Sequence, residues 1–207
     1  MGWVWQSKQD DLVQEYPDTP DFSRAIDEAL SQLRASGLQP RYVAGNHDVY
    51  WRGPDGERPE GEHEGNYEEH FGPLWYAFEH KGSWFIILYT DEPDPDTGVR
   101  DYTKPASQRM SPVQFEWLRD TLGTTSEADH VFVFLHHPRW TGGNYGDDWD
   151  RVHELLAGAG NVRAVFAGHI HRMQYVGPRD GIEYFTLATT GANQGAVIVI
   201  CLLYTSD

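Results

Sequence analysis

Apolar residues recur along this chain with two distinct periods. After Thr19-Pro20-Asp21, residues Phe22, Ile26, Leu30 and Leu33 stand at three- and four-residue steps, which predicts a helix. Gly37 falls where a left-handed residue would close it. Ser111-Pro112-Val113-Gln114 has the form of a capping box with proline at the first helical position, and Phe115, Leu118 and Leu122 continue the stripe. A short helix is predicted over 150–156. Between these lie compact apolar runs at 41–44, 84–89, 131–135, 162–167, 183–189 and 196–202, each read as a strand. The near-continuous run 84–89 is what a strand covered on both faces requires. Pro, Gly and Glu crowd 53–65, which predicts a solvated loop. Strands alternating with helices predict an α/β fold with stacked layers, with no internal repeat and no long linker.

Composition narrows what such a domain can do. The 207 residues carry 32 acidic and 16 basic side chains, a formal net charge of −16. That balance offers no basic face to phosphate backbones or anionic lipids, so no nucleic-acid partner is expected. The single cysteine, Cys201, excludes an intramolecular disulfide, a Cys-rich zinc module and an iron–sulfur site. No apolar run approaches the roughly 20 residues of a membrane span. The start, Met1-Gly2-Trp3-Val4-Trp5-Gln6, lacks the form of a secretory signal. The remainder is an acidic domain rich in tryptophan and histidine.

The ten histidines are unevenly spread. Five lie in three short segments: Gly45-Asn46-His47-Asp48, His136-His137-Pro138 and Gly168-His169-Ile170-His171. Each segment directly follows a predicted buried strand, and strand ends are where layered α/β proteins gather ligand sites. Imidazole and amide oxygen without thiolate make a ligand set suited to zinc, manganese, iron or nickel. A metal site explains three such segments better than scattered polar residues do.

In order and spacing these three segments resemble the calcineurin-like metallophosphoesterases, the superfamily that includes purple acid phosphatases. The resemblance spans roughly 22–192, including Phe71-Gly72-Pro73-Leu74-Trp75-Tyr76. It implies a layered α/β/β/α sandwich and hydrolysis of phosphomonoesters or phosphodiesters, with a small-molecule phosphate ester as substrate. It also implies two divalent or trivalent transition-metal ions (Mn, Fe, Zn or Ni), which would clamp the phosphoryl oxygens. By that resemblance Asn46 would give a side-chain oxygen to the second metal, with His136 and His169 as its nitrogen ligands. His171 would bind the first metal. His47 would contact the phosphate or protonate the leaving oxygen, with Asp48 orienting its ring. His137, extended by the following Pro138, would point away from its neighbour. His63, His70, His80, His130 and His153 read as solvated.

The resembled family also carries an Asp-x-His and a Gly-Asp-x-x-Asp upstream, and neither precedes Gly45. The expectation is a partial phosphoesterase domain over 1–195, missing its first βαβ portion and impaired in catalysis, followed by a doubtful tail over 196–207. A non-catalytic metal- or partner-binding remnant is the alternative. The literal Gly146-Asp147-Asp148-Trp149-Asp150 has no strand leading into it and reads as a loop with a helix N-cap. Asp94-Pro95-Asp96-Thr97-Gly98 lacks the ligands of a calcium loop and reads as a turn. His153-Glu154 lacks the second histidine of a zincin helix. Loops at 50–66, 91–109 and 139–149 would set substrate preference. The N-terminus leaves localisation open between cytoplasm and export.

Overall fold

In a computed structural model, which describes residues 28, 31–32, 34–37, 39–49, 63–98, 109–141 and 148–188, the central apolar runs form the middle of a sheet. Strands β2 (Ser83–Ile87), β3 (His130–Phe134), β4 (Val162–Ala167) and β6 (Ile182–Thr186) run parallel side by side. β1 (Tyr76–His80) pairs antiparallel with β2 at one edge, and β5 (Gln174–Arg179) antiparallel with β6 at the other. The resulting order is β1-β2-β3-β4-β6-β5. Backbone bonds continue past the strand ends, from Leu88 N–H to Phe134 C=O at 2.8 Å, from Leu135 to Phe166 at 3.0 Å, and from Leu187 to Ala167 at 2.7 Å. The four parallel strands therefore end in register at one edge.

Alternation along the strands gives the two faces different partners. Ile86, Val131, Val133 and Val165 pack beneath α3 (Pro112–Thr124) and α4 (Trp149–Ala159), with Leu118, Leu122, Val152 and Leu156 from the helices. The other face is phenylalanine. Phe85, Phe132 and Phe166 are buried beside Phe78, Phe134 and Phe185, with stacked pairs 5.0–5.4 Å apart at Phe78–Phe85, Phe134–Phe166 and Phe166–Phe185. Such offset stacking adds to the area that each ring buries.

Several sequence expectations change. Residues 41–44 belong to no strand of the described sheet. The Tyr42 N–H donates to Tyr76 Oη at 2.9 Å, and the Tyr76 hydroxyl donates back to the Tyr42 carbonyl at 2.9 Å. A side chain thus satisfies the backbone there, where a strand partner would have done so. The loop read as far as residue 65 gives way to a helix, α2 (His63–Phe71). β1 and β5 are additional to the predicted strands. The early helix is described only at 28, 31–32 and 34–35, and it does end at Gly37, with φ +76° and its N–H on the Arg34 carbonyl at 3.0 Å. The run 196–202 lies outside the described residues, among which there is a single six-stranded sheet. Among those residues no helix is long and apolar enough to cross a membrane.

The capping box forms by half. Ser111 Oγ accepts the Gln114 N–H at 3.2 Å, but the Ser111 N–H goes to Glu92 Oε2 at 2.8 Å. Gln114 turns inward instead. It accepts the Tyr89 N–H, donates to the Tyr89 carbonyl (both 2.9 Å) and donates to Glu92 Oε2 at 2.7 Å. The helix start is thereby tied to the end of β2. Asp148 occupies the N-cap position of α4, yet its carboxylate accepts the Met110 N–H at 2.9 Å and makes no cap bond. Among the histidines read as solvated, the His63 side chain lies outside the described residues, His70, His80 and His130 are half-buried, and His153 is only 1% exposed. Its Nδ1 faces Tyr184 Oη at 2.5 Å and its Nε2 faces Asp180 Oδ2 at 2.8 Å, which joins α4 to the β5–β6 turn.

Candidate metal centre

Three loops at the shared strand edge bring the candidate donors together. The first enters α1 (Asn46–Val49) from Gly45, where Asp48 Oδ2 accepts the Gly45 N–H at 2.8 Å and Asp48 and Val49 N–H bond the Gly45 carbonyl. Asp48 thus fixes the turn that presents Asn46. The second loop leaves β3 through His136 and His137. The third leaves β4 through Gly168, whose N–H donates to the His136 carbonyl at 2.9 Å, so the second and third loops are joined. There the Ile170 N–H closes onto the Gly168 carbonyl at 2.8 Å around His169, which has φ +68°. Left-handed backbone in a non-glycine residue is strained, and such strain concentrates at functional sites.

The donor atoms converge within hydrogen-bonding distance. His136 Nε2 lies 2.8 Å from Asn46 Oδ1, His169 Nδ1 lies 3.1 Å from the same oxygen, and the two nitrogens are 3.2 Å apart. This triangle cannot be three hydrogen bonds. Each ring nitrogen brings at most one proton and the amide oxygen brings none. If both nitrogens carry protons, two donors face each other; if only one does, two lone pairs do. A cation bound by all three lone pairs removes that conflict. Ligands about 2.0–2.1 Å from one ion stand about 2.9–3.4 Å apart, close to the observed edges. The donor set of imidazoles and amide oxygen suits a first-row divalent ion.

Not every predicted residue joins this group. His171 follows His169 by two residues, also in left-handed backbone at φ +55°, but it is exposed and stands outside the cluster. The His47 side chain lies outside the described residues; its backbone is in α1. His137 does not point away. Its ring centre lies 4.9 Å from that of His136 and 4.3 Å from that of His169. The chain bends at His136 and His137, so the strand alternation that would separate neighbouring side chains no longer applies.

A buried polar layer supports the loops from behind. Thr90 Oγ accepts the His137 N–H at 3.1 Å and lies 3.0 Å from its Nδ1, while the Thr90 carbonyl accepts from Arg139. Arg139 is buried, and desolvation lowers its guanidinium to about 10, so it stays cationic at neutral pH. Asp148, Asp91 and Glu92 oppose that shift. Burial raises the Glu92 carboxyl above its usual range against the hydrogen bonds from Ser111 and Gln114. Burial, with the charges of Asp91, Glu64 and Glu92, also keeps the Tyr89 phenol protonated. Sequence reading missed Thr90, Glu92 and Arg139. Their signal was position alone: Thr90 and Glu92 lie three and five residues beyond the end of β2, and Arg139 two residues beyond the histidine doublet.

The family model described as calcineurin-like phosphoesterase matches residues 11–173, and the chain belongs to that family. Tartrate-resistant acid phosphatase type 5 of Homo sapiens is 30% identical to it over 83 residues, 39% of this chain and 25% of that protein. The Rattus norvegicus protein of the same name is 32% identical over 82 residues, with the same shares. The match therefore spans about a quarter of the length of these relatives. In fold, the chain is similar to a dimetal phosphatase from Danio rerio, with a TM-score of 0.59 and 17% identity, covering 82% of this chain and 67% of that one.

Proposed function

We propose that this chain hydrolyses phosphoric esters with the help of bound metal ions, and that Asn46, His136 and His169 hold one of them. The observation that carries the reading is the three-way contact of Asn46 Oδ1, His136 Nε2 and His169 Nδ1. Membership of the phosphoesterase family supports it. A bound divalent ion supplies Lewis-acid polarisation of a phosphoryl oxygen and a local positive charge in a protein of net charge −16. By the resemblance stated above, His171 serves a second ion. His47, next in the chain to Asn46, contacts the phosphate or delivers a proton to the leaving oxygen, and Asp48 positions it. Gly168 and Thr90 hold the two histidine-bearing loops in register. The substrate class is a small phosphomonoester or phosphodiester.

The test is hydrolysis of a generic aryl phosphate by the purified chain loaded with manganese, zinc, iron or nickel, with metal content measured in parallel. Metal-dependent turnover that falls at least 100-fold in His136→Gln and His169→Gln is expected. In His47→Ala, turnover should be lost with metal content retained. Metal binding without turnover would instead favour a non-catalytic binding module, a reading to which the exposure of His171 lends some support.

A further inference from the structure

A third imidazole stands at the same place. One ring nitrogen each from His136, His137 and His169 lies within 4.8 Å of the other two. His137 is 6% exposed, so its polar ring is held inside the protein beside two others. The two nitrogens of an imidazole point to opposite sides of the ring. With Nδ1 set 3.0 Å from Thr90 Oγ, Nε2 is the nitrogen through which this ring would take a metal.

We propose that His137 is a metal ligand, so that three imidazoles and the Asn46 amide oxygen form the donor set of this centre. The inference rests on the metal-binding reading above and extends it to a residue whose position in the sequence argued against it. The Thr90 contact fits this role. A histidine that binds a metal generally engages its other ring nitrogen with an oxygen, which fixes the tautomer and the ring orientation. Thr90 also takes the His137 N–H, so one hydroxyl sets both backbone and ring. Three imidazoles and one oxygen make four nitrogen and oxygen donors, the coordination number that zinc prefers. The donors are neutral, which leaves the ion its full charge. Ligands on one ion stand closer than 4.8 Å, so ion binding draws the His137 ring towards the other two.

The experiment titrates the metal-free 207-residue chain with Co²⁺, reading affinity by calorimetry and coordination by the visible absorption band. His137→Gln should lower affinity at least tenfold and weaken or shift the band, and Thr90→Val should lower affinity about tenfold through the loss of ring orientation. Wild-type affinity in His137→Gln alongside a loss in His136→Gln would overturn the role of His137 and leave the metal reading intact. Wild-type affinity in His136→Gln and His169→Gln as well would overturn both. Far-UV circular dichroism checks folding. Should His137→Gln not fold, Thr90→Val decides: a tenfold loss supports the ligand role and an unchanged affinity overturns it.

Discussion

The imidazole of His136 lies flat against the α-carbon of Gly45. A Cβ at position 45 would come 2.7 Å from Nδ1 and 2.8 Å from Cε1 of that ring. The glycine is required for space and not for backbone freedom, since its φ is not among the positive ones. It seats the ring so that Nε2 reaches Asn46, the very next residue, at 2.8 Å.

Gly45→Ala should therefore displace His136. The expected cost is about 1–3 kcal/mol of stability, typical of forcing extra volume into a packed site. Affinity for Co²⁺ should fall at least tenfold. Urea unfolding and calorimetric titration read the two effects, and unchanged metal affinity would show that the ring does not need this seat.

His169 makes an opposite demand on its own backbone. At φ +68° a glycine would be relaxed, whereas an alanine would keep the strain without the imidazole. His169→Gly should thus be more stable than His169→Ala by about 1 kcal/mol in urea denaturation. Both variants should lose metal affinity alike. Equal stability of the two would mean that the turn relaxes when the side chain is removed.

The parallel strands were legible because each centres on a short and largely buried apolar run, and run 162–167 matches β4 residue for residue. The edge strands were missed although their turns carried a signal. Lys81-Gly82 and Asp180-Gly181 both have positive φ at both positions, and they close hairpins between His80 and Ser83 and between Arg179 and Ile182. The half-buried residues of β1 and the mostly exposed residues of β5 give no apolar run to announce them. The convergence of Asn46, His136 and His169 was readable from motif and position, whereas His171, read with them, stands outside the cluster. His137 was misread because the strand rule was extended past the point where the chain bends. Gln114 followed a valid capping pattern whose second half Glu92 supplies from a different loop, a substitution that local sequence does not encode.

His153, at a position whose sequence reads as solvated, bridges Tyr184 and Asp180 inside the helix–sheet interface. Truncating it leaves the buried Tyr184 hydroxyl short of a partner and opens a cavity. His153→Ala should cost about 2–4 kcal/mol. Asp180→Asn should cost under about 1 kcal/mol, because the Asp180 side chain is 69% exposed and water can replace it. Chemical denaturation of both variants checks the order. A larger loss for Asp180→Asn would mean that the ion pair, and not the buried packing, carries the joint.

Buried phenols should make the domain sensitive to alkali. Desolvation raises Tyr76 and Tyr184 to about 12, and raises Tyr67 and Tyr89 well above their usual value. Below pH 10 these groups hold their protons whether the chain is folded or not, and their contribution to stability is fully present. As pH rises from 10 towards 12 the unfolded chain releases protons that the folded chain keeps, and that contribution is lost. Arg139, lowered by burial to about 10, acts in the opposite sense, but it is one group against four. Stability should fall with rising pH across this window. Urea midpoints measured at pH 9, 10, 11 and 12 should drop steeply, and Tyr184→Phe should make the drop shallower. A flat profile, or the same slope in Tyr184→Phe, would mean that these hydroxyls ionise in the folded protein as freely as in water.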